Sequence, residues 1–516
     1  MPLQDRDRTS RANSYRRAVA GALLIATLLL ALFHLDSTPP LWWDEGWTLS
    51  VARNWVERGF YGRLLAGELA APGLEAAFPT TALVALSFRL LGVGVWQGRL
   101  VGVLAMAGAM ALLYHLAGRL YNRRVAAAAL VVVLATTMHR EVQPLIMGRQ
   151  VLAEPLMLLY LLAGYAFLLA ALRKSAWFMG LAVVCWGLGL VSKAQPLPFW
   201  AVSLLAVLGW VLFRRRWREA VLLGVGLVGA LAVAWSLPRL WPWLLGGHTL
   251  PRASVQGLYS ATAIVTITHL RLSALWVTLI AGLPTLLGVC YVAWKWIKHR
   301  EQGAFDLEIV RLSLLALVGS WQAWYLFLSP AWLRYLFPAI FVGSIFVAAL
   351  LDDVTEGLQL QAALDRVGRA LRRLRFDRQS ALGLVVLVFT CIYVPLTVAN
   401  MAQFFAGGDR SPFQVAEFLN AQTAPDSMVE TYDAELFFLV EQPYHYPPDQ
   451  LHVELIRRTF LGQHVPIDYD PLAEDPDYLV VGPFGNRWGL YTPVLGTGAF
   501  RLLRTVGGYR IYERVR

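Results

Sequence analysis

Long apolar runs, each bracketed by short clusters of Arg and Lys, recur along this chain and leave few folds open to it. A stretch of about 20 apolar residues is what a helix needs to cross a bilayer, and flanking cations fix its direction. Only 15% of the 516 residues are charged, against 57% hydrophobic, and the mean hydropathy is +0.52. A soluble chain carries about 25% charged residues. The net charge of +11 sits at the ends of the apolar runs. That placement suits anionic lipid headgroups, so the lipid bilayer is the expected partner. No separate basic domain with interleaved aromatics exists, which argues against nucleic acid.

Runs begin near residues 19, 98, 125, 155, 176, 198, 221, 273, 312, 335 and 381, which predicts about eleven spans. The first follows Arg11, Arg16 and Arg17 and leads into Asp36, Pro39 and Pro40 without a small-x-small cleavage site. It reads as a retained signal anchor with the N-terminus cytoplasmic, in a multi-pass protein of the plasma (inner) membrane. Residues 81–91 are apolar but short, with Arg89 near their end. They read as an interfacial or re-entrant piece, because a full span there would push Arg119, Arg123 and Arg124 outside. The basic segments at 173–174, 214–218, 295–300 and 366–378 then all fall inside. Glu154, Lys193, residues 241–269 and residues 329–334 fall outside.

The cysteines, Cys185, Cys290 and Cys391, each lie in an apolar run, where a free thiol behaves as a small hydrophobe. From residue 407 the composition turns soluble. Ser411-Pro412 reads as an N-cap and first helical residue, with Phe413, Val415, Phe418 and Leu419 on one face. Residues 428–432 and 478–481 read as strands and 434–440 as a short helix. Val506-Gly507-Gly508 reads as the turn of a hairpin joining 501–505 to 509–512. The predicted fold is an all-α polytopic membrane bundle over residues 1–400, whose first external loop carries amphipathic helices. A small extracytoplasmic α/β domain follows over residues 407–516.

That first loop opens Leu41-Trp42-Trp43-Asp44-Glu45-Gly46-Trp47, and Trp47, Val51 and Trp55 continue at helical spacing. This is an amphipathic helix at the membrane surface with an acidic pair at its start. A partly desolvated carboxylate at that depth is a functional candidate. The same pair also fits a structural role, with Asp44 as N-cap and Glu45 favoured by the helix dipole.

The Asp44-Glu45 pair, followed by Ala52-Arg53 and a Gly, resembles the signature of the protein O-mannosyltransferase and lipid A aminoarabinose transferase family. That family is glycosyltransferase family 39-like and belongs to the glycosyltransferase C superfamily. Further pieces resemble it in order: Leu91-Gly92 with Gly98-Arg99-Leu100, the basic turn at 116–128, Gly148-Arg149 with Glu154, the segment 187–193, and Arg334-Tyr335-Leu336-Phe337-Pro338. Together they cover roughly residues 18–350. Two departures stand out. Ala71-Pro72-Gly73-Leu74-Glu75 replaces a basic or His residue followed by Pro-Pro, and Glu154 stands where Asp is common.

The resemblance implies an inverting transfer of a sugar from a polyprenyl-phosphate donor to a hydroxyl, on a glycolipid, protein or polysaccharide acceptor. It implies Asp44, Glu45 and Glu154 as the catalytic acids. Arg149, Lys193 and Arg334 would hold the donor phosphate, guanidinium as a fork and ammonium as a point charge. Lys193 and Arg334 also fit a snorkelling role at a span end, and Arg149 equally fits a simple pairing with Glu154. No metal cage is expected from His248 and His269, although some members of the superfamily place a divalent cation beside the acidic pair. A transporter or flippase of a lipid-linked substrate is the alternative. Such a protein would carry ionisable or broken spans near mid-membrane, whereas the acidic residues here lie in external loops and span starts.

Overall fold

The computed structural model describes residues 21–22, 25–26, 29–74, 76–250, 255–298, 304–375 and 377–516. Among them, seven helices are long and apolar enough to cross a membrane. The chain is a multi-pass membrane protein. Helices α1 (Trp43–Arg58), α2 (Phe78–Leu91), α3 (Val95–Leu120), α4 (Arg123–Ala135), α5 (Ala153–Arg173), α6 (Phe178–Ser192), α7 (Leu197–Phe213) and α8 (Trp217–Leu244) come first. Then come α9 (Thr268–Val277) and α10 (Leu283–Lys298), joined through a π-helical turn, and α11 (Phe305–Leu328) and α12 (Phe337–Val354). An amphipathic α13 (Leu360–Arg373) precedes the last span, α14 (Arg378–Ala406). Every expected run from residue 98 onward falls on a helix. Those expected at 125, 176 and 198 are only 13, 15 and 17 residues long. The first expected span is described only in part.

The basic clusters collect at one end of the bundle. Arg311 donates to the Leu120 carbonyl at 2.6 Å, Lys295 meets Asp353 at 2.6 Å, and Arg173 pairs with Asp306. Asn122, which caps α4, also reaches Asp352 at 3.2 Å. The acidic start of α1 sits at the opposite end, against the first turn of α3. Helix α2 keeps both its ends on that side: Phe78 lies 6.3 Å from Tyr61, and Phe88 stacks on Phe438 at 5.9 Å.

The C-terminal segment forms α15 (Ser411–Gln422), α16 (Asp449–Thr459) and a five-stranded mixed sheet. With β1 (Arg63–Leu65) and β2 (Glu68–Ala70) forming a separate hairpin in the first loop, the sheet strands are β3 (Val429–Thr431), β4 (Tyr444–His445), β5 (Tyr478–Val481), β6 (Phe500–Val506) and β7 (Tyr509–Arg514). Their order is β4-β3-β5-β7-β6, parallel on one side of β5 and antiparallel on the other. Gly507, at φ 54°, makes the β6–β7 turn, the left-handed position at which glycine is cheapest. Two expectations shift. The N-cap of α15 is Arg410 rather than Ser411, and Asp409 accepts the Ser411 amide. Residues 434–438 form a 3₁₀ turn.

The core of this sheet includes Trp43 and Trp47 of α1, Ala261 and Val265 from the segment before α9, and Leu270 of α9. Contact is so close at Gly46 that a Cβ there would lie 1.9 Å from the Ala434 carbonyl oxygen. The Trp43 indole donates to the Tyr432 carbonyl at 2.9 Å. Burying two tryptophans removes about 150–250 Å² apiece from water, each worth several kcal/mol at about 25 cal/mol/Å². Helix α1 is thus clasped between bundle and sheet, which fixes the direction of its acidic first turn.

Candidate active site

Helix α1 begins at Trp43, one residue before the acidic pair, with Trp42 as its N-cap. Asp44 is therefore released from capping, and its side chain and that of Glu45 part company. Asp44 Oδ2 meets Arg334 Nη1 at 2.7 Å. Arg334 Nε lies 3.2 Å from Glu154 Oε1, and Lys193 Nζ donates to that same oxygen at 2.5 Å. Two carboxylates and two cations from four separate elements thus form one chain of contacts. Lys193 also stands 5.7 Å from the Tyr335 ring. Glu154 is buried, while Asp44, Arg334 and Lys193 keep 15%, 18% and 16% of their side chains exposed. The network is open where Asp44 and the cations lie.

The backbone carrying Arg334 is held tightly. The Trp321 indole donates to the Tyr335 carbonyl at 2.8 Å, and the Tyr325 hydroxyl donates to Ala331 at 3.1 Å. Glu154 is brought close because α3 is glycine-lined where residues 148–150 pass it. A Cβ on Gly102 would stand 2.7 Å from the Gly148 and Gln150 carbonyl oxygens.

Glu45, expected among the catalytic acids, is placed otherwise. It is fully buried, and each of its oxygens accepts two hydrogen bonds. Arg99 grips it with two parallel bonds of 2.8 and 2.9 Å, and the amides of Trp42 and Val151 complete the set. A carboxylate with every lone pair taken has no capacity to accept another proton donor, so Glu45 is a frame residue. Arg149, expected on the donor phosphate, is also fully buried. Its guanidinium donates to the carbonyls of Leu30, Ala31, Phe33, His34 and Thr38 and faces the Phe405 ring at 5.0 Å. It pins the exit of the first apolar run to the bundle. His248 and His269 are exposed. Among the described residues no group of three His, Cys, Asp or Glu side chains is set to hold a metal ion. The cation between Asp44 and Glu154 is a guanidinium.

Sequence reasoning missed the partners that the sheet domain brings. His452 stacks on Trp43 at 4.6 Å and shares a 2.6 Å hydrogen bond with the Tyr432 hydroxyl. Burial pushes its pKa down to about 4, against an opposing pull from Asp44, so the imidazole is neutral at pH 7. Arg63 pairs with Asp449 at 2.9 Å while lying over the rings of Trp47 and Tyr446. Arg63 and Asp449 stand 386 positions apart, so no local pattern announces the pair.

The family model described as dolichyl-phosphate-mannose-protein mannosyltransferase matches residues 77–241. No curated protein sequence matches the chain. Among solved structures, ArnT from Cupriavidus metallidurans bound to undecaprenyl phosphate superposes with a TM-score of 0.58 at 16% identity, covering 96% of this chain and 98% of that one. The apo state of the same protein gives 0.56 at 15% identity over the same shares. The oligosaccharyltransferase of Archaeoglobus fulgidus, tethered to an acceptor peptide containing the NVT sequon, gives 0.50 at 12%, over 96% of this chain and 74% of that one. The chain is a polytopic membrane protein with the glycosyltransferase C fold.

Proposed function

We propose that the protein is an inverting glycosyltransferase that moves a sugar from a polyprenyl-phosphate donor to a hydroxyl acceptor at the external membrane face. The observation that carries this reading is the convergence of Asp44, Glu154, Arg334 and Lys193 in one partly open network. The matched family acts with dolichyl-phosphate-mannose by its description, and one superposed structure holds undecaprenyl phosphate. Both point to the same donor class.

In this mechanism the acceptor oxygen attacks the anomeric carbon while the bond from that carbon to the phosphate oxygen breaks. The bonding pair leaves with the lipid phosphate. The acceptor proton passes to Asp44, which acts as general base. Arg334 and Lys193 neutralise the charge growing on the phosphate. Arg334 rests on Asp44. An arriving phosphate competes for that guanidinium and so frees the carboxylate that must take the proton. Glu154 keeps both cations aimed at the same place.

The test is incubation of the purified protein with a panel of polyprenyl-phosphate sugars and hydroxyl acceptors, with Asp44→Asn alongside. The wild-type protein transfers or hydrolyses one donor, and Asp44→Asn loses about 10²–10⁴-fold in rate while staying folded. Near-wild-type turnover in Asp44→Asn rejects the mechanism, and no reaction with any donor rejects the function.

A further inference from the structure

Of the described helices, α13 has the sharpest division between an apolar and a polar side. Leu364, Val367 and Leu371, with Ala363 and Ala370 beside them, recur at helical spacing and form one stripe. Arg366, Arg369, Arg372 and Arg373 take the other side, and Arg375 follows the helix end.

Helix α14 covers one edge of the stripe. Val367 and Ala370 are buried, and a Cβ on Gly383 would stand 3.0 Å from Val367 Cγ2. The other edge is bare, for Leu364 and Leu371 keep 50% and 47% of their surface exposed. Leu374 ends the helix at φ 50°, the left-handed position that glycine usually fills, and is 84% exposed. Three bare leucines on one short helix require an apolar partner. Depth says which. Gly383 lies five residues into α14, about 7.5 Å along its axis. A helix lying in the membrane plane seats its apolar side about 5–10 Å into the boundary between headgroups and acyl chains. Helix α13 meets α14 at that depth, at the basic end of the bundle.

Charge narrows the partner further. Asp365 is the one acid in the segment from 360 to 375, which holds five arginines. Among the described residues, ion pairs reach only Arg366 of these, which meets Glu356 at 3.0 Å. Arg369, Arg372, Arg373 and Arg375 are exposed.

We propose that α13 is an in-plane anchor that binds anionic phospholipid in the leaflet opposite Asp44, with its leucines among the acyl chains and its arginines on the phosphates. A zwitterionic headgroup offers the same phosphate but cancels its charge, so four exposed guanidiniums select an anionic leaflet. A protein partner would suit the leucines equally, but the crossing at Gly383 sets them at the level of lipid.

The test uses the full chain in nanodiscs of phosphatidylcholine alone and of phosphatidylcholine with rising shares of phosphatidylglycerol. Amide hydrogen exchange over residues 360–374 reads the seating of α13, and exchange over α15 checks that each variant is folded. Exchange of α13 should slow as phosphatidylglycerol is added, and added salt should reverse the slowing. The share of phosphatidylglycerol that gives half of the effect should rise about fivefold in Arg369→Gln and in Arg372→Gln, the worth of one cation near an anionic surface. Arg372→Lys should keep the wild-type value. Equal exchange at every lipid composition overturns the inference, because the leucines would then seat without reading charge. So does a half-point that neither Gln substitution moves. Slowing that appears only when an oligoglutamate peptide is added would assign this face to an acidic protein instead.

Discussion

Asp44 and Glu45 are neighbours in sequence and belong to two different ion-pair systems. Glu45 and Arg99 are both fully buried, joined by two bonds, and the carboxylate also accepts two backbone amides. Asp44 and Arg334 meet by one bond and keep 15% and 18% of their side chains exposed. The first system has no capacity left for a ligand. The second can be opened by one. Acidic character at the start of a helix is thus not enough to mark a base; how many of its lone pairs the fold has already claimed decides the matter.

The largest expected effect breaks the sealed pair. Arg99→Leu leaves a carboxylate buried without its cation, which costs about 3–5 kcal/mol. Its thermal unfolding midpoint should fall sharply, and Glu45→Gln should also lower it. Asp44→Asn should leave the midpoint near that of the wild type, because its partner Arg334 stays partly solvated. Equal melting losses for Asp44→Asn and Glu45→Gln would erase the distinction between the two systems.

Next comes the open network. Arg334→Ala should weaken donor binding by about ten- to hundredfold, the worth of one charge-assisted contact. Lys193→Ala should do so less, since an ammonium offers no fork. Titration with a polyprenyl-phosphate sugar measures both. Unchanged donor affinity in Arg334→Ala would leave the guanidinium as a mere partner of Asp44 and Glu154.

Arg149 extends the comparison to a smaller effect. Arg149→Lys keeps the charge but cannot reach all five carbonyls between Leu30 and Thr38. Proteolysis near residues 34–38 should quicken while donor affinity holds. A loss of donor affinity without faster cleavage would return Arg149 to the phosphate.

What the sequence revealed and what it hid divide along the same line. Span positions were legible because the bilayer imposes a coarse rule on length and charge placement. Strand 478–481 and the Gly507 turn were legible because burial and positive φ are local demands. The convergence of Asp44, Glu154, Lys193 and Arg334 was suggested only by resemblance. The reassignment of Glu45 and Arg149 was out of reach. A buried arginine and a ligand-binding one look the same until the carbonyls and carboxylates around them are placed. The packing of Trp43 and Trp47 against residues 432–452 was equally hidden, since the two segments are far apart in the chain.

The smallest effect concerns how α1 is held from the sheet side. Asp433 is buried, and burial raises its pKa to about 6, against the pull of the amides of Phe484, Gly482 and Gly485. Glu435, hydrogen-bonded to Tyr509, is raised as well, by burial and then by Asp433. An acid whose folded pKa exceeds its unfolded value contributes stability below the unfolded value, and that contribution is lost as pH rises through the folded one. For Asp433 the window runs from 3.8 up to about 6. The stability of the full chain should therefore decline across it, by an amount on the order of 1–3 kcal/mol at most, read as a falling melting midpoint. Glu435→Gln removes the carboxyl that burial and Asp433 raise, and with it the part of the decline that Glu435 itself contributes. A pH slope identical in wild type and Glu435→Gln would mean that Glu435 contributes nothing to it. Because Glu435 lies beside Gly46 in the tightest contact between sheet and helix, a slope that does change would tie the protonation of this pair to the seating of α1 and of the Asp44 it carries.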